Sequence, residues 1–114
     1  AEIQAAIREV QKKSSAGNQS SSIQTTNDKL FLLSEIEIFG TTTRSFGGEG
    51  TQSAYYQAGN SKIKNLNGIE NTWHCRSPYR GSLRNTYFVG VSTDGLVIAG
   101  GATVERGVSL AFCF

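Results

Sequence analysis

TYFVGVSTDGLVIAG, residues 86–100, is the stretch whose reading decides the fold. Its apolar segments, TYFVGVS (86–92) and GLVIAG (95–100), are short, rich in β-branched and aromatic residues, and joined through STDG (92–95). An Asp-Gly pair between such segments is a strong hairpin signal, because both residues tolerate the positive φ that tight strand-joining turns require. A third apolar segment, GVSLAFCF (107–114), follows across GGATVERG (100–107). Together they predict an antiparallel meander of short strands that runs to the C-terminus. Within GLVIAG, Val97 and Ala99 alternate with Leu96 and Ile98. If the first pair faces a core, the second is exposed and apolar, which an inert face would not favour.

Working upstream, HCRSPYRGSLRN (74–85) is polar, follows Trp73 and holds the sole Pro. GNSKIKNLNG (59–68) has turn signals at both ends, and GTQSAYYQA (50–58) fits a short helix carrying Tyr55 and Tyr56. TTTRSFGGEGTQSA (41–54) reads as a loop. In LFLLSEIEIFG (30–40), Ile36 and Ile38 alternate with Glu35, Glu37 and Phe39, which predicts a half-buried strand over 35–39 with both carboxylates on its solvated side. Leu30 to Leu33 fit a buried strand of their own or one continuous with 35–39. The Ser/Thr-rich stretch 14–28 reads as a connector. AEIQAAIREVQKK (1–13) places Ile3, Ala6, Ile7 and Val10 at i, i+3, i+4 and i+7, with Lys12 and Lys13 at the end that the helix dipole favours for cations. That spacing predicts an amphipathic helix, which either packs on its own domain or self-associates.

The composition narrows the function classes. The 114 residues suit one domain with one modest core. Eleven Lys and Arg against nine Asp and Glu give a net charge of +2, too balanced for nucleic-acid binding by charge alone. Cys75 and Cys113 are too few for a disulfide framework, though one bridge between them is open. No apolar run approaches the ~20 residues that span a bilayer, so a soluble chain without membrane insertion is expected. The absence of Met points to a processed chain or a piece of a longer one.

Residues able to carry catalysis are scarce. The sole His, His74, adjoins Cys75, but neighbours on a strand point to opposite faces, which places a base poorly for its nucleophile. The carboxylates show no metal-ligand spacing. FGGEG (46–50) lacks the Lys-Ser/Thr of a phosphate loop and reads as a turn. No catalytic residue, cofactor or metal is expected. What stands out is Arg76, Arg80 and Arg84, four apart and interleaved with Trp73, His74, Tyr79 and Tyr87. Arg and aromatic side chains together supply bidentate hydrogen bonds and rigid contact area, the chemistry of binding hot spots. Alternatively, Trp73 and Tyr79 belong to the core and the arginines solvate a loop.

NDKLFLLSEIEIFG (27–40), GEGTQSAYYQAGNSKIK (48–64), WHCRSP (73–78) and GVSLAFCF (107–114) resemble a phage/prophage-associated C-terminal domain family of unknown function (DUF6273-like). The pattern there is Leu-Ser-Glu-hydrophobic-Glu-hydrophobic-Phe, an aromatic ahead of Arg-Ser-Pro, Phe-x-x-Val, a Gly-containing turn and a closing Gly-Val-x-x-x-Phe. Phe88, Val91, Gly95, Gly107, Val108 and Phe112 occupy matching positions, over about residues 20–114. This arrangement is similar to the C-type-lectin-like variable, tropism-determinant domains of diversity-generating retroelements and to formylglycine-generating-enzyme relatives. Those close on an Arg-Pro-containing strand. Gly107-Val108-Ser109-Leu110 lacks it, which argues against the enzyme-like branch.

The resemblance implies an α+β, C-type-lectin-like domain with short antiparallel strands over 29–114, preceded by an N-terminal helix and linker over 1–28. It implies a core holding Trp73, Phe88, Val91 and Phe112, with Arg76, Ser77 and Pro78 pinning a loop. It implies a non-enzymatic recognition domain of a phage or prophage virion, of the tail-fibre type, joined to an upstream virion chain. Its partner would be a host-surface protein or glycan, not nucleic acid, and its location the virion or, alternatively, a bacterial cell surface. The resemblance implies that divergence falls between the Arg-Ser-Pro and the closing Gly-Val, here 79–106, and so a ligand-binding face made of His74, Tyr79, Arg80, Ser82, Leu83, Arg84, Asn85 and Tyr87, continuing through Ser92, Asp94, Leu96 and Ile98. The rival reading is a virion decoration or assembly domain that forms a homotrimer through the 1–13 helix and has no external ligand.

Overall fold

The computed structural model describes residues 5–81 and 86–113. The chain is mainly β. Strands β1 (Val10–Gly17) and β2 (Ser20–Asp28) form one hairpin, β3 (Lys64–Leu66) and β4 (Ile69–Asn71) a second. Strands β5 (Trp73–Pro78), β6 (Tyr87–Val91) and β7 (Val97–Gly101) form an antiparallel sheet in that order. The helices are short: α1 (Glu35–Phe39) and α2 (Ala54–Gln57).

This corrects the α+β, C-type-lectin-like expectation: three small, separate sheets carry the chain, and where an N-terminal helix was expected, Val10–Gly17 is a strand. Asn18 and Gln19, at φ 49° and 62°, turn the chain so that Val10 pairs with Asp28 and Lys13 with Thr25. Residues 14–28, expected as a connector, are therefore mostly ladder. A helix of about a dozen residues is marginal without a packed face; residues 1–4 of the expected 1–13 helix lie outside the described residues, and Val10 to Lys13 find their main-chain partners in a hairpin instead.

The expected strand over 35–39 is also corrected. It is α1, started by a capping box: Ser34 Oγ accepts from the Glu37 N–H (3.3 Å), and the Glu37 carboxylate accepts from the Ser34 N–H (2.9 Å). Gly40, at φ 74°, closes it, its N–H donating to Ile36 O (2.9 Å). Glu35 and Glu37 are buried, not solvated.

The meander signal is met for its first two strands. Tyr87 to Val91 pair with Gly101 to Val97, across a turn in which Gly95 has φ 82°. The closing segment does not extend that sheet. It crosses to the far side of β5, where Gly107 bridges Trp73, Ala111 bridges Phe31 and Cys113 bridges Arg8. The first part of the polar stretch after Trp73, through Pro78, is β5, at the edge of this crossing, with Trp73, Cys75 and Ser77 inward and His74 and Arg76 half-buried.

The core is Ile38, Tyr56, Trp73, Cys75, Val89 and Val91, with Leu33, Phe39 and Val97 packed against it. Trp73 and Val91 take the expected places. Phe88 is half-buried on the other face of the sheet, and Phe112 is 43% exposed, so neither completes the core. No helix among the described residues is long and apolar enough to cross a membrane.

Candidate functional site

The site begins with a buried carboxylate. The Glu35 side chain, fully buried, accepts from the main-chain N–H groups of Thr43 (3.1 Å), Arg44 (3.1 Å) and Ser45 (2.8 Å) and from the hydroxyls of Thr43 (2.9 Å) and Ser45 (2.7 Å). Hydrogen bonds from several donors offset the desolvation of such a group. The consequence is that loop 43–45 is fixed to α1. Arg44 is held a second time, because its carbonyl accepts from the Arg80 N–H (2.9 Å).

Arg44 thereby presents its guanidinium from a constrained backbone, and that side chain has no hydrogen bond or ion pair among the described residues. It lines a surface concavity of about 300 Å³ together with Tyr79, Tyr87, Ile98 and Ala99. Tyr79 follows β5 directly, and its N–H donates to Tyr87 O (2.9 Å). The two rings lie 6.2 Å apart and tilted by 40°. A free guanidinium beside two phenol rings and an aliphatic wall can bind carboxylate or hydroxyl groups while stacking on an apolar face.

Of the sequence-predicted residues, Tyr79, Tyr87 and Ile98 come together here, with Arg80 joined through the Arg44 carbonyl. Ser82, Leu83, Arg84 and Asn85 lie outside the described residues. His74 lines a different concavity of about 380 Å³ with Leu32, Arg76 and Phe88. Burial and the neighbouring Arg106 hold its imidazole below the usual pKa, against a hydrogen bond that the ring donates to the Val104 main chain, which works the other way. Ser92 and Asp94 hold the β6–β7 turn: the Ser92 hydroxyl donates to the Asp94 carboxylate, which also accepts from the Leu96 N–H (3.2 Å). That turn lies roughly 15 Å from Tyr87 at strand spacing, so it belongs to the far end of the face. Leu96 there is 63% exposed while Val97 packs on the core, as the alternation of GLVIAG anticipates.

Arg44 was missed because it sits in a Thr/Gly-rich loop remote in sequence from the Arg-aromatic cluster. Only the capping box Ser34-x-x-Glu37, which would have placed Glu35 in a helix, hinted at what holds that loop. A further concavity of about 390 Å³, lined by Phe31, Leu33, Tyr55, Tyr56, Leu110 and Phe112 among others, was also missed, since the closing segment was expected as a third meander strand with Phe112 in the core. Of its two lysines, Lys12 is held by an ion pair with Glu37 (2.5 Å), and Lys64 lies over the Trp73 ring, 5.0 Å from its centroid.

His74 and Cys75 are neighbours on β5, His74 half-buried and Cys75 buried. Cys75 is buried, and desolvation, with Glu35 nearby, pushes its thiol up to about 12. No group of three or more His, Cys, Asp or Glu able to hold a metal occurs among the described residues.

A family model described as a domain of unknown function (DUF6273) matches residues 1–114, and the chain belongs to that family. No curated protein and no solved structure matches it.

Proposed function

Taking the chain as a DUF6273 domain, we propose that it is a non-enzymatic recognition domain that binds a host-surface ligand through the Arg44–Tyr79–Tyr87 concavity. On the resemblance noted in its sequence, the proposal extends to a phage or prophage virion, with the domain at a tail-fibre tip. The observation that carries this reading is the Arg44 guanidinium, unpartnered among the described residues and set beside two tyrosines on a loop that Glu35 fixes. A ligand meeting this site finds its contacts already ordered, which lowers the entropic cost of binding. Tyr and Arg are the residue types that dominate binding hot spots.

The test is a glycan array and a host-cell binding assay on the purified domain, beside Arg44→Ala and the Tyr79→Ala/Tyr87→Ala double variant. Binding that drops at least about tenfold in both variants, with melting temperature kept, supports the reading. Binding unchanged in both removes the site from consideration.

One observation favours the assembly reading. Val108, Leu110 and Phe112 alternate along the closing segment and are 66%, 56% and 43% exposed, apolar surface of the kind that subunit contacts cover. That reading predicts no binding on any surface by either the domain or its variants.

A further inference from the structure

The two edges of the β1–β2 hairpin differ. On β1, Lys13 O accepts from Arg76 Nη2 (2.9 Å), and the Ser15 N–H donates to Glu49 Oε2 (2.9 Å). In an antiparallel ladder a residue's N–H and C=O point the same way, and directly opposite residues either bond each other or both point away. Lys13 and Ser15 point at the body of the protein. Their partners Thr25 and Ile23 therefore turn their main-chain groups away from β1, and Asn27, two residues further along β2, does the same. Their main chains make no backbone hydrogen bond to any described residue outside the ladder. β2 is also the longest described strand, with Ser21 to Asn27 all exposed.

Natural edge strands are normally protected by Lys, by Pro, by inward charges or by being short. Residues Ser20 to Asn27 carry none of these devices, and Thr25 and Thr26 favour strand. The composition also says which partner fits. Pairing β2 antiparallel with its own copy about Thr25 puts Thr25 opposite Thr25, Ile23 opposite Asn27 and Asp28 opposite Ser22. No charge meets a like charge, β-branched residues meet at the centre, and every outward main-chain group of Ile23, Thr25 and Asn27 gains a partner. A two-fold pairing is closed and stops at two chains.

We infer that β2 is a self-association edge, and that two copies of this chain join through it into a four-stranded sheet ordered β1-β2-β2-β1. The contact is small, so association is expected on the order of 100 µM.

Sedimentation equilibrium on the full chain from about 10 µM to 1 mM tests this, read beside amide exchange. The expected result is a mass rising from 12.3 kDa toward twice that value, with exchange at Ile23, Thr25 and Asn27 slowing as concentration rises. Thr25→Pro removes an outward N–H that makes no hydrogen bond to any described residue, and Thr25→Lys adds the missing edge charge. Both should stay monomeric at 1 mM with unchanged circular dichroism; if the Pro variant misfolds, the Lys variant decides. A wild-type chain that stays monomeric overturns the inference and leaves the edge to a foreign strand. A dimer retained in Thr25→Lys, or a mass that climbs past two chains, overturns it as well.

Discussion

The Arg76 guanidinium on β5 and the Glu37 carboxylate of α1 form a half-buried ion pair that ties the three-stranded sheet to the helix. The same guanidinium donates to Leu32 O (2.8 Å), Glu49 O (2.9 Å) and Lys13 O (2.9 Å), so one side chain gathers four separate segments. Glu37 is met from the other side by Lys12 of β1 (2.5 Å). Arg suits this place because its planar fork can serve several acceptors at once, which an ammonium cannot.

Removing that fork should cost much of the fold's stability. Arg76→Ala leaves Glu37 with Lys12 and the Ser34 N–H and strips donors from three main-chain carbonyls, a loss of about 3 kcal/mol or more. Arg76→Lys keeps the charge and should recover under half of it. Urea unfolding of both variants checks this, and a loss below about 1 kcal/mol in Arg76→Ala would contradict the pin.

Glu37 also sets an acid limit. Burial alone would raise its carboxyl, but Lys12, the Ser34 N–H and Arg76 outweigh burial and hold it below the ordinary value. A carboxylate depressed by folding takes its proton more readily when unfolded. Its contribution is therefore present above the ordinary carboxylate range and is lost as pH falls through the folded value. The melting temperature should drop between about pH 5 and 3, and Glu37→Gln should start lower and fall less steeply. Parallel curves for the two proteins would refute the assignment.

The cysteines should differ in reactivity. Both thiols are free, Cys113 exposed and Cys75 buried with its pKa pushed up to about 12. Iodoacetamide at pH 8 should alkylate Cys113 in the native protein and reach Cys75 only in denaturant. Mass spectrometry after peptide mapping reads this directly; equal native labelling at both sites would mean that Cys75 is accessible.

Gly90 and Gly100 sit under the Arg106 guanidinium, but with different freedom. A Cβ at Gly90 would also stand 2.9 Å from Trp73 O, a main-chain atom of the neighbouring strand, whereas at Gly100 only the mobile end of Arg106 is in the way. Gly90→Ala should destabilise by about 1–3 kcal/mol, and Gly100→Ala by less. Equal losses in urea unfolding would show that the Arg106 contact, not strand spacing, governs both.

Parts of this architecture were legible in the chain. The Asp94-Gly95 turn between apolar segments located β6 and β7, and Trp73, Val91 and Val97 were readable as inward residues. The helix around Tyr55 and Tyr56 was visible as well. Two local patterns misled. Glu35-Ile36-Glu37-Ile38 alternates as a strand would, yet Ser34-x-x-Glu37 starts a helix whose turn buries Glu35 and Ile38 together. The stripe Ile3, Ala6, Ile7, Val10 fits a helix, but Val10 is claimed by Asp28 and the outer edge of β1 by Arg76 and Glu49. Those partners lie 34 and 63 residues away, beyond the reach of periodicity. The candidate site was half legible for the same reason: Tyr79, Tyr87 and Ile98 share one stretch, while Arg44 arrives through Glu35 and a tertiary bond to Arg80.

The most direct test of the recognition reading is calorimetric titration, with the best glycan-array or host-surface ligand, of the wild-type domain, Arg44→Ala and Tyr79→Ala/Tyr87→Ala. The account predicts saturable one-site binding by the wild type, a loss of at least about tenfold in affinity in each variant, and urea stability within about 0.5 kcal/mol of wild type for Arg44→Ala. Undiminished binding by both variants, or no ligand on any surface tried, would contradict it.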